Sequence, residues 1–419
     1  MVLFVISIIA LFGVAALAID GGRLYFERRA AQGASDDAAM TGALAILQGY
    51  NTPEVESIVL DRAMVNGFDN AGDDVQVDVH WPPIAPNPYA GDRNYIQVFI
   101  TSEIPPVLSQ FVFIGSLQVT VEAIAHVQPT GPIIPGYAIY GTNPSACRTV
   151  EFSGNPIVLV KGGGSIGSNS DADCPCSSMV SGGNVFVEVD GGAITASGCW
   201  NNLGASGNTI PEPITYVDQL DLDEIKASVP IPDCGSTENV KDYGDVTYDG
   251  LATIEPGYYR SMKFTAKADV TLLPGLYCIY GKDPWTIETK GGARIQGEGI
   301  MIYLMSTAGS WKSAGNAYVS LTAPTDLVDA SGNQWAGMLI YTHPDNKNEI
   351  VLTGTSDSYY QGSILSLGSH CFIEGTSGEV SFNTQVYCDT VTVGGTGDLD
   401  VTYEEGVNYQ VPAALELSK

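Results

Sequence analysis

The residues best suited to chemistry in this chain are acidic, and they fall into two groups. Asp171 and Asp173 lie in Asn-Ser-Asp-Ala-Asp, and Asp218, Asp221 and Asp223 form a denser group. Carboxylate oxygens are the ligands that calcium prefers, so both groups are weak calcium candidates. Neither has the glycine and glutamate of an EF-hand loop. A solubilising acidic surface is the favoured interpretation of both groups, and no other cofactor is expected.

Carboxylates can also work in pairs, as the acid and base of a glycoside hydrolase. In a chain with 47 acidic residues such pairs arise by chance. His343 and His370 have no serine or cysteine nucleophile in a recognisable context. No Gly-Lys-Ser/Thr ending marks a phosphate-binding loop. We therefore expect that the chain is not an enzyme.

The cysteines predict disulfides rather than a metal centre. Their number is even and none occurs in the first 146 residues, as expected of bridges formed in an oxidising compartment. Zinc is less well supported, because the closest pair has C-x-C rather than C-x-x-C spacing. The bridge candidates are Cys147, Cys174, Cys176, Cys199, Cys234, Cys278, Cys371 and Cys388.

Charge limits the classes of partner. With 18 basic against 47 acidic residues, the 419-residue chain has a net charge of −29. Nucleic-acid binding requires a basic face, so nucleic acid is excluded as a partner. The length favours two or three domains.

The elements that must position these residues begin with a long helix. Residues 1–19 carry no charge, and as a helix they would extend roughly 28 Å, enough to cross a bilayer. Helical patterning continues to about residue 48, which a cleaved secretory signal would not show. We expect residues 1–50 to be one hydrophobic helix, either a filament core or a membrane span. Arg23, Arg28 and Arg29 follow the apolar run and none precedes it, so we expect Met1 to be a processed end.

Small residues on this helix would permit close approach of identical helices. Polar residues follow them at helical spacing, where Asp20 could pair with Arg23, and Arg23 with Glu27. The candidate assembly residues are Val5, Ser7, Ala10, Gly13, Ala16, Asp20, Arg23, Tyr25, Glu27 and Arg28.

The stretch GVAALAIDGGRLYFERRAAQGASDDAAMTGALAI, residues 13–46, resembles the amino-terminal signature of TadE/TadG-like pseudopilins of tight-adherence pili. The segments at 95–101, 105–111 and 117–125 are also similar to that family, so the resemblance covers residues 1–128. It implies a pilin-like helix with a small head and assembly into a filament. One departure is Val5, where pilins generally carry glutamate. The matching positions are Asp20, Gly22, Arg23, Leu24, Tyr25, Arg28, Arg29, Gln32, Ala34, Asp37, Ala38, Ala39, Gly42 and Ala43.

Residues 51–128 predict a small α+β head. Helical spacing covers 53–67, and a short apolar helix is predicted at Pro106–Ile114. Strand patterns occupy Val75–Val79, Tyr95–Thr101 and Leu117–His126. Residues 129–136 read as a Pro/Gly linker.

Residues 137–419 predict a disulfide-containing β domain. Gly-Thr pairs recur at 354, 375 and 395, and Pro-Gly-x-Tyr recurs at 256 and 274. Coils of about 20 residues with glycine corners predict a right-handed parallel β-helix, with a β-sandwich as the alternative. Cys371 and Cys388 lie 17 residues apart, near one coil, and are therefore the best-supported bridge. Helical periodicity appears only at Val217–Ala227.

Together these features predict a structural subunit of an extracellular pilus-like filament, exported through the inner membrane. Its expected partners are other copies of itself, the pilus-assembly machinery, the membrane during biogenesis, and a surface or glycan target. The alternative is a membrane-anchored surface adhesin or assembly accessory that does not polymerise.

Overall fold

The computed structural model describes residues 2–108, 115–203, 208–236, 238–282, 285–313, 316–355, 357–377 and 379–418. The chain divides into two compact units. Unit 1 comprises Met1–Thr130 and Pro412–Lys419, and unit 2 comprises Gly131–Val411. Unit 2 is thus an insertion in the sequence of unit 1. An amino-terminal helix followed by a β-rich, mostly parallel part was expected, and this order is confirmed.

Two helices open unit 1: α1 (Val2–Leu47) and α2 (Thr52–Val65). Between them Gly49 takes a left-handed conformation, φ 84°, which ends α1 at low cost because glycine has no Cβ. Asn51 caps α2: its side-chain oxygen accepts the Glu54 N–H at 3.2 Å, and the Glu54 carboxylate accepts the Asn51 N–H at 3.0 Å. Both helices begin and end within three residues of their predicted bounds.

Three antiparallel strands complete the amino-terminal part of unit 1: β1 (Val75–His80), β2 (Tyr95–Ile104) and β3 (Leu117–Gln128). The order is β1-β2-β3, and Ile100 of β2 lies between Val77 and Val121. These are the predicted strands, each slightly extended. Most of the helix predicted at Pro106–Ile114 lies outside the described residues, and residues 105–108 are not helical.

The carboxyl-terminal half of α1 packs on unit 1 through small side chains. Ala31, Ala38 and Ala43 are fully buried there in one cluster with Ile96 of β2. The closest approach is at Gly42, where an added Cβ would lie 2.6 Å from both Ile96 Cδ1 and Val59 Cγ2. A larger residue at position 42 would force the Ile96 and Val59 side chains, or α1 itself, to shift.

Gly42→Ala should therefore destabilise unit 1 by about 1–3 kcal/mol, the usual cost of overpacking a close contact. Gly33→Ala is the matched control, because nothing lies within 4 Å of its Cβ position in the same helix. That substitution should stabilise the helix by about 0.5–1 kcal/mol. Denaturant unfolding of both variants measures the difference, and equal effects would contradict this account of the packing.

Unit 2 consists of short strands separated by turns; some, such as Arg294–Gly297, alternate between buried and exposed residues, whereas others, such as Ile300–Leu304, are buried throughout. The strands are β4 (Gly131–Pro132), β5 (Tyr137–Gly141), β6 (Val150–Phe152), β7 (Ile157–Lys161), β8 (Ser165–Ser168), β9 (Met179–Ser181), β10 (Phe186–Val189), β11 (Ile194–Ala196), β12 (Trp200–Asn202), β13 (Asn208–Ile210), β14 (Ile214–Thr215), β15 (Asp245–Tyr248), β16 (Leu251–Ile254), β17 (Gly257–Tyr259), β18 (Ser261–Phe264), β19 (Asp269–Leu272), β20 (Gly275–Ile279), β21 (Ile287–Thr289), β22 (Arg294–Gly297), β23 (Ile300–Leu304), β24 (Trp311–Ser313), β25 (Tyr318–Thr322), β26 (Met338–Thr342), β27 (Ile350–Thr355), β28 (Tyr359–Gln361), β29 (Ser363–Ser377), β30 (Glu379–Asn383), β31 (Val386–Gly395), β32 (Asp398–Thr402) and β33 (Gln410–Val411).

Two large parallel sheets contain nearly all of these strands. One has the order β13-β10-β7-β32-β30-β28-β25-β22-β19-β16, and we call it the ten-stranded sheet. The other sheet consists of two columns, in each of which a strand pairs with the next strand of that column. Both columns include the long strands β29 and β31. Gly354 lies opposite Gly375, so the Gly-Thr repeat found in the sequence is in register. The Pro-Gly-x-Tyr repeat is shifted by two residues, because Gly257 lies opposite Tyr277.

The strand order shows that the chain enters unit 2 in the middle of the stack. From β5–β7 the strands build outward to β13 and β14, and the chain then crosses to the opposite end at β15 and β16. From there it builds back until β31 and β32 pair with β5, β6 and β7. Beside this junction β4 and β33 pair antiparallel, so unit 2 begins and ends at one place.

The segment between β14 and β15, residues 216–244, makes this crossing, and we call it the crossing segment. It lies on a second hydrophobic core. It contains α3 (Leu222–Ser228), shorter than the helix predicted at Val217–Ala227. Ile225 and Val229 pack in one cluster with Tyr303 and Tyr341, which lie on the column of β23 and β26. Both faces of those strands are therefore buried, which explains their unbroken apolar sequences.

All eight cysteines form disulfides within unit 2: Cys147–Cys176, Cys174–Cys199, Cys234–Cys278 and Cys371–Cys388. The pair expected from its spacing, Cys371–Cys388, is confirmed and is fully buried. Cys234–Cys278 fastens the crossing segment to β20.

Two boundaries differ from those predicted. The expected linker, residues 129–136, contains β4, and Ile133 and Ile134 are buried in the second core of unit 2. The last strand, β34 (Ala414–Ser418), was expected in the β domain but pairs antiparallel with β3 in unit 1. Pairing between residues so distant in sequence leaves no local signal.

Candidate assembly surface

Helix α1 has two opposite faces. At 3.6 residues per turn, Asp20, Glu27, Ala31 and Ala38 fall within about 40° of one another around the helix. This face turns toward unit 1: Asp20, Ala31 and Ala38 are buried and Glu27 is half-buried.

Asp20 is the buried charge on this inner face. Its side chain is 3% exposed, and its two carboxylate oxygens accept the backbone N–H groups of Val107 at 2.9 Å and Leu108 at 3.1 Å. Burying a carboxylate is costly unless it is hydrogen-bonded, so these contacts hold the loop after β2 against α1.

Further polar contacts fix the same face. Arg23 Nη1 donates to the Pro105 carbonyl at 2.9 Å, and Ser102 Oγ donates to Glu27 Oε1 at 2.7 Å. About two turns beyond Glu27, Ser35 Oγ donates to the Val98 carbonyl at 2.9 Å. Asp20, Arg23 and Glu27, which the sequence suggested as assembly residues, thus bind other parts of their own unit.

Asp37 joins α1 to α2. Its carboxylate accepts from Arg62 Nε at 2.6 Å, Arg62 Nη2 at 3.0 Å and Asn66 Nδ2 at 2.8 Å. The hydrogen bonds from Arg62 and Asn66 lower the pKa of Asp37, and the same contact raises the pKa of Arg62. This bidentate pair fixes how the two helices approach each other.

The outer face of α1 is apolar and exposed. Leu11, Val14, Ala18 and Tyr25 fall within about 60° of one another, roughly 150° from the inner face. Leu11, Val14 and Tyr25 are 71%, 69% and 71% exposed. Ile19 and Phe26, 48% and 73% exposed, flank them on one side. We call these six residues the apolar stripe.

The other predicted assembly residues are placed as follows. Gly13 and Arg28 are exposed and Ala16 is half-buried. The side chains of Val5, Ser7 and Ala10 lie outside the described part of the structure, although the backbone there is helical. Sequence analysis named Tyr25 but missed Leu11, Val14, Ile19 and Phe26, because an unbroken apolar run does not show which face is left uncovered.

The calcium candidates Asp171, Asp173, Asp218, Asp221 and Asp223 are all exposed. Among described residues, one group of three potential metal ligands lies within 4.8 Å: Asp173, Cys174 and Cys199. Cys174 and Cys199 are bonded to each other, so neither offers a thiolate. Asp173 Oδ1 instead accepts the Tyr216 hydroxyl at 2.9 Å.

In the described residues, no helix combines the length and apolarity needed to span a membrane.

Comparison with known proteins adds one finding. Residues 1–45 match the family model described as "Putative Flp pilus-assembly TadE/G-like". The match covers most of α1, including both its faces, and is shorter than the 128 residues over which a resemblance was expected. No curated protein matches the chain. The amino-terminal segment is therefore identified as a TadE/G-like domain, which indicates a part in Flp pilus assembly.

Asp20→Ala should loosen the loop at 105–108, because two backbone N–H groups lose a charged acceptor. Removing such a partner costs about 1–3 kcal/mol, and Asp20→Asn should cost less because one oxygen can still accept. Hydrogen exchange of the peptide containing Val107 and Leu108 should be faster in Asp20→Asn than in the wild type, and fastest in Asp20→Ala. Glu56→Ala, an exposed change on α2, is the control. Unchanged exchange in Asp20→Ala would show that the carboxylate does not hold the loop.

Asp37→Asn should lower the melting temperature of unit 1 at pH 7. Because folding lowers the pKa of Asp37, its stabilising effect is complete well above 3.8, its ordinary pKa, and is lost as pH falls through the lowered value. The difference in melting temperature between wild type and variant should therefore shrink as the pH falls below 3.8. Asp61→Asn, an exposed neighbour of Arg62, should show no such convergence. A difference in melting temperature that stays constant down to pH 2, about two units below the ordinary pKa of Asp37, would exclude the ion pair as the cause.

Proposed function

We propose that this chain is a structural subunit of an extracellular pilus-like filament, in which α1 makes the contacts between copies. The observation that carries the proposal is the apolar stripe, which faces away from the body of unit 1. Burying a large apolar side chain contributes about 1.5–3 kcal/mol. A surface of five large apolar side chains and Ala18 on one helix is best covered by the same surface of neighbouring copies.

The contacts of the polar inner face support this assignment of the outer face to assembly. Asp20, Arg23 and Glu27 hold α1 on its own unit, which leaves the opposite face for other copies. The match to a TadE/G-like family at residues 1–45 is consistent with a role at the cell surface and with assembly by pilus machinery. The membrane would hold the apolar helix before assembly.

We further infer that unit 2 is a right-handed β-helix displayed by the filament. Parallel strands that pair with the next strand of the same column support this, as do inward ladders of apolar residues such as Val270, Ile295 and Val319. Parallel crossover connections take the right hand almost always. In this role unit 2 is a durable surface module held by disulfides, and its function is structural rather than catalytic.

The alternative is a membrane-anchored adhesin or assembly accessory that does not polymerise. The uncharged stretch at residues 1–19 suits an anchor as well as a filament core.

Val14→Lys and Tyr25→Lys test the proposal. A lysine in an apolar helical contact costs about 3 kcal/mol, roughly a hundredfold in the association constant. Electron microscopy of material sheared from cells should show uniform filaments containing the wild-type chain, and few or none with either variant. Ser57→Lys, at an exposed position of α2, adds the same charge away from the stripe and should leave filaments intact.

Fractionation of the cells distinguishes a filament subunit from a membrane-anchored protein that does not polymerise. Recovery of the wild-type chain only in the detergent-extracted membrane fraction, with no filaments, would overturn polymerisation and favour the anchored form. Filaments that survive both lysine variants would show that the stripe is not the contact between copies.

A further inference from the structure

A groove lies on the outer face of the ten-stranded sheet, and the function proposed above does not involve it. It has a volume of about 600 Å³, within the range of small-molecule sites. The groove lies where β19, β22, β25 and β28 run side by side. Its lining includes Thr271, Leu273, Pro274, Gln296, Ser320 and Tyr359.

The floor of the groove is a ladder of uncharged polar side chains. Thr271 lies opposite Gln296, Gln296 opposite Ser320, and Ser320 opposite Tyr359, one residue from each of four neighbouring strands. With strands about 4.8 Å apart, the ladder extends roughly 14 Å. Gln296 Nε2 donates to Thr271 Oγ1 at 3.1 Å, which orients both groups before any ligand arrives.

The two ends of the groove differ in character. Leu273 and Pro274, in the turn after β19, form an apolar wall, and Leu273 is 39% exposed. Tyr359 is half-buried at the other end of the ladder and supplies an aromatic side chain to the lining of the groove. Beside the groove the Arg294 guanidinium stacks over Tyr318 at 4.1 Å, which shields that charge.

From this arrangement we propose that the groove binds a neutral, linear polysaccharide. Hydroxyl and amide groups at regular intervals match a chain of sugar hydroxyls, and an aromatic ring with apolar neighbours suits the apolar face of a sugar. Because only Glu298 among the lining residues is charged and the chain carries −29, anionic polymers are disfavoured. A polypeptide strand is also disfavoured, since each floor strand is paired on both sides and offers no free edge.

The site would give the proposed surface module a ligand, but it does not depend on polymerisation. A single chain carries the whole groove, so binding can be measured whether or not α1 assembles. Failure of one proposal therefore leaves the other standing.

Isothermal titration of the purified full chain with cellohexaose, maltohexaose and mannohexaose tests the assignment. At least one should bind with a dissociation constant of about 1 mM or tighter. Tyr359→Ala should weaken that binding about tenfold, and Gln296→Ala about fivefold. Tyr359→Phe keeps the ring and should retain most of the affinity. Thr402→Ala, an exposed change on β32 of the same sheet but outside the groove, is the matched control.

Three outcomes would overturn the proposal. They are no binding of any of the three oligosaccharides, binding that Tyr359→Ala and Gln296→Ala both leave unchanged, or binding of polygalacturonate in preference to the neutral sugars. Equal melting temperatures for all variants would show that a loss of binding is not a loss of fold.

Discussion

The architecture of unit 2 depends on backbone pairing at one junction. The chain enters the stack in the middle, so β5, β6 and β7 have one side that no strand nearby in sequence covers. That side is paired only when β31 and β32 arrive, some 240 residues later. Unpaired backbone groups in the interior of a sheet are costly, so both halves of the stack require this contact. Arrival of the last strands also brings β33 to β4, which closes the two ends of the insertion together.

The same route explains the second hydrophobic core. A chain that builds outward in one direction must return to the far end, and the crossing segment has to lie on some surface. It lies on the column of β23 and β26, whose outer residues are apolar, and Cys234–Cys278 fixes it there. Asp329 strengthens the attachment: its carboxylate accepts the Asp233 N–H at 3.0 Å and the Trp335 indole N–H at 2.9 Å. Although burial alone would raise the pKa of Asp329, these hydrogen bonds bring it below its ordinary value.

In unit 1 the decisive constraint is steric. Alanines and Gly42 allow α1 to lie close to β2 and α2, and the hydrogen bonds of Asp20 and Asp37 then set its rotation. Once that rotation is fixed, Leu11, Val14 and Tyr25 necessarily turn outward. The surface that we propose for assembly is thus a consequence of how the opposite face is bound. Function in this part of the chain follows from orientation rather than from any reactive group.

Local patterns in the sequence were sufficient for much of this protein. The uncharged run and the helical patterning that continues to about residue 48 indicated α1, helical spacing over residues 53–67 indicated α2, and strand patterns indicated β1–β3. The Gly-Thr repeat indicated parallel coils, and the spacing of Cys371 and Cys388 indicated their bridge. Tertiary structure alone decided the features that join distant residues: the pairing of β34 with β3, the order of the stack and the face of α1 left exposed. It also decided the groove, because Thr271, Gln296, Ser320 and Tyr359 share no motif and meet only through strand register. Sequence periodicity specifies which residues turn inward, whereas neighbours across strands are chosen by packing and backbone pairing over the whole fold.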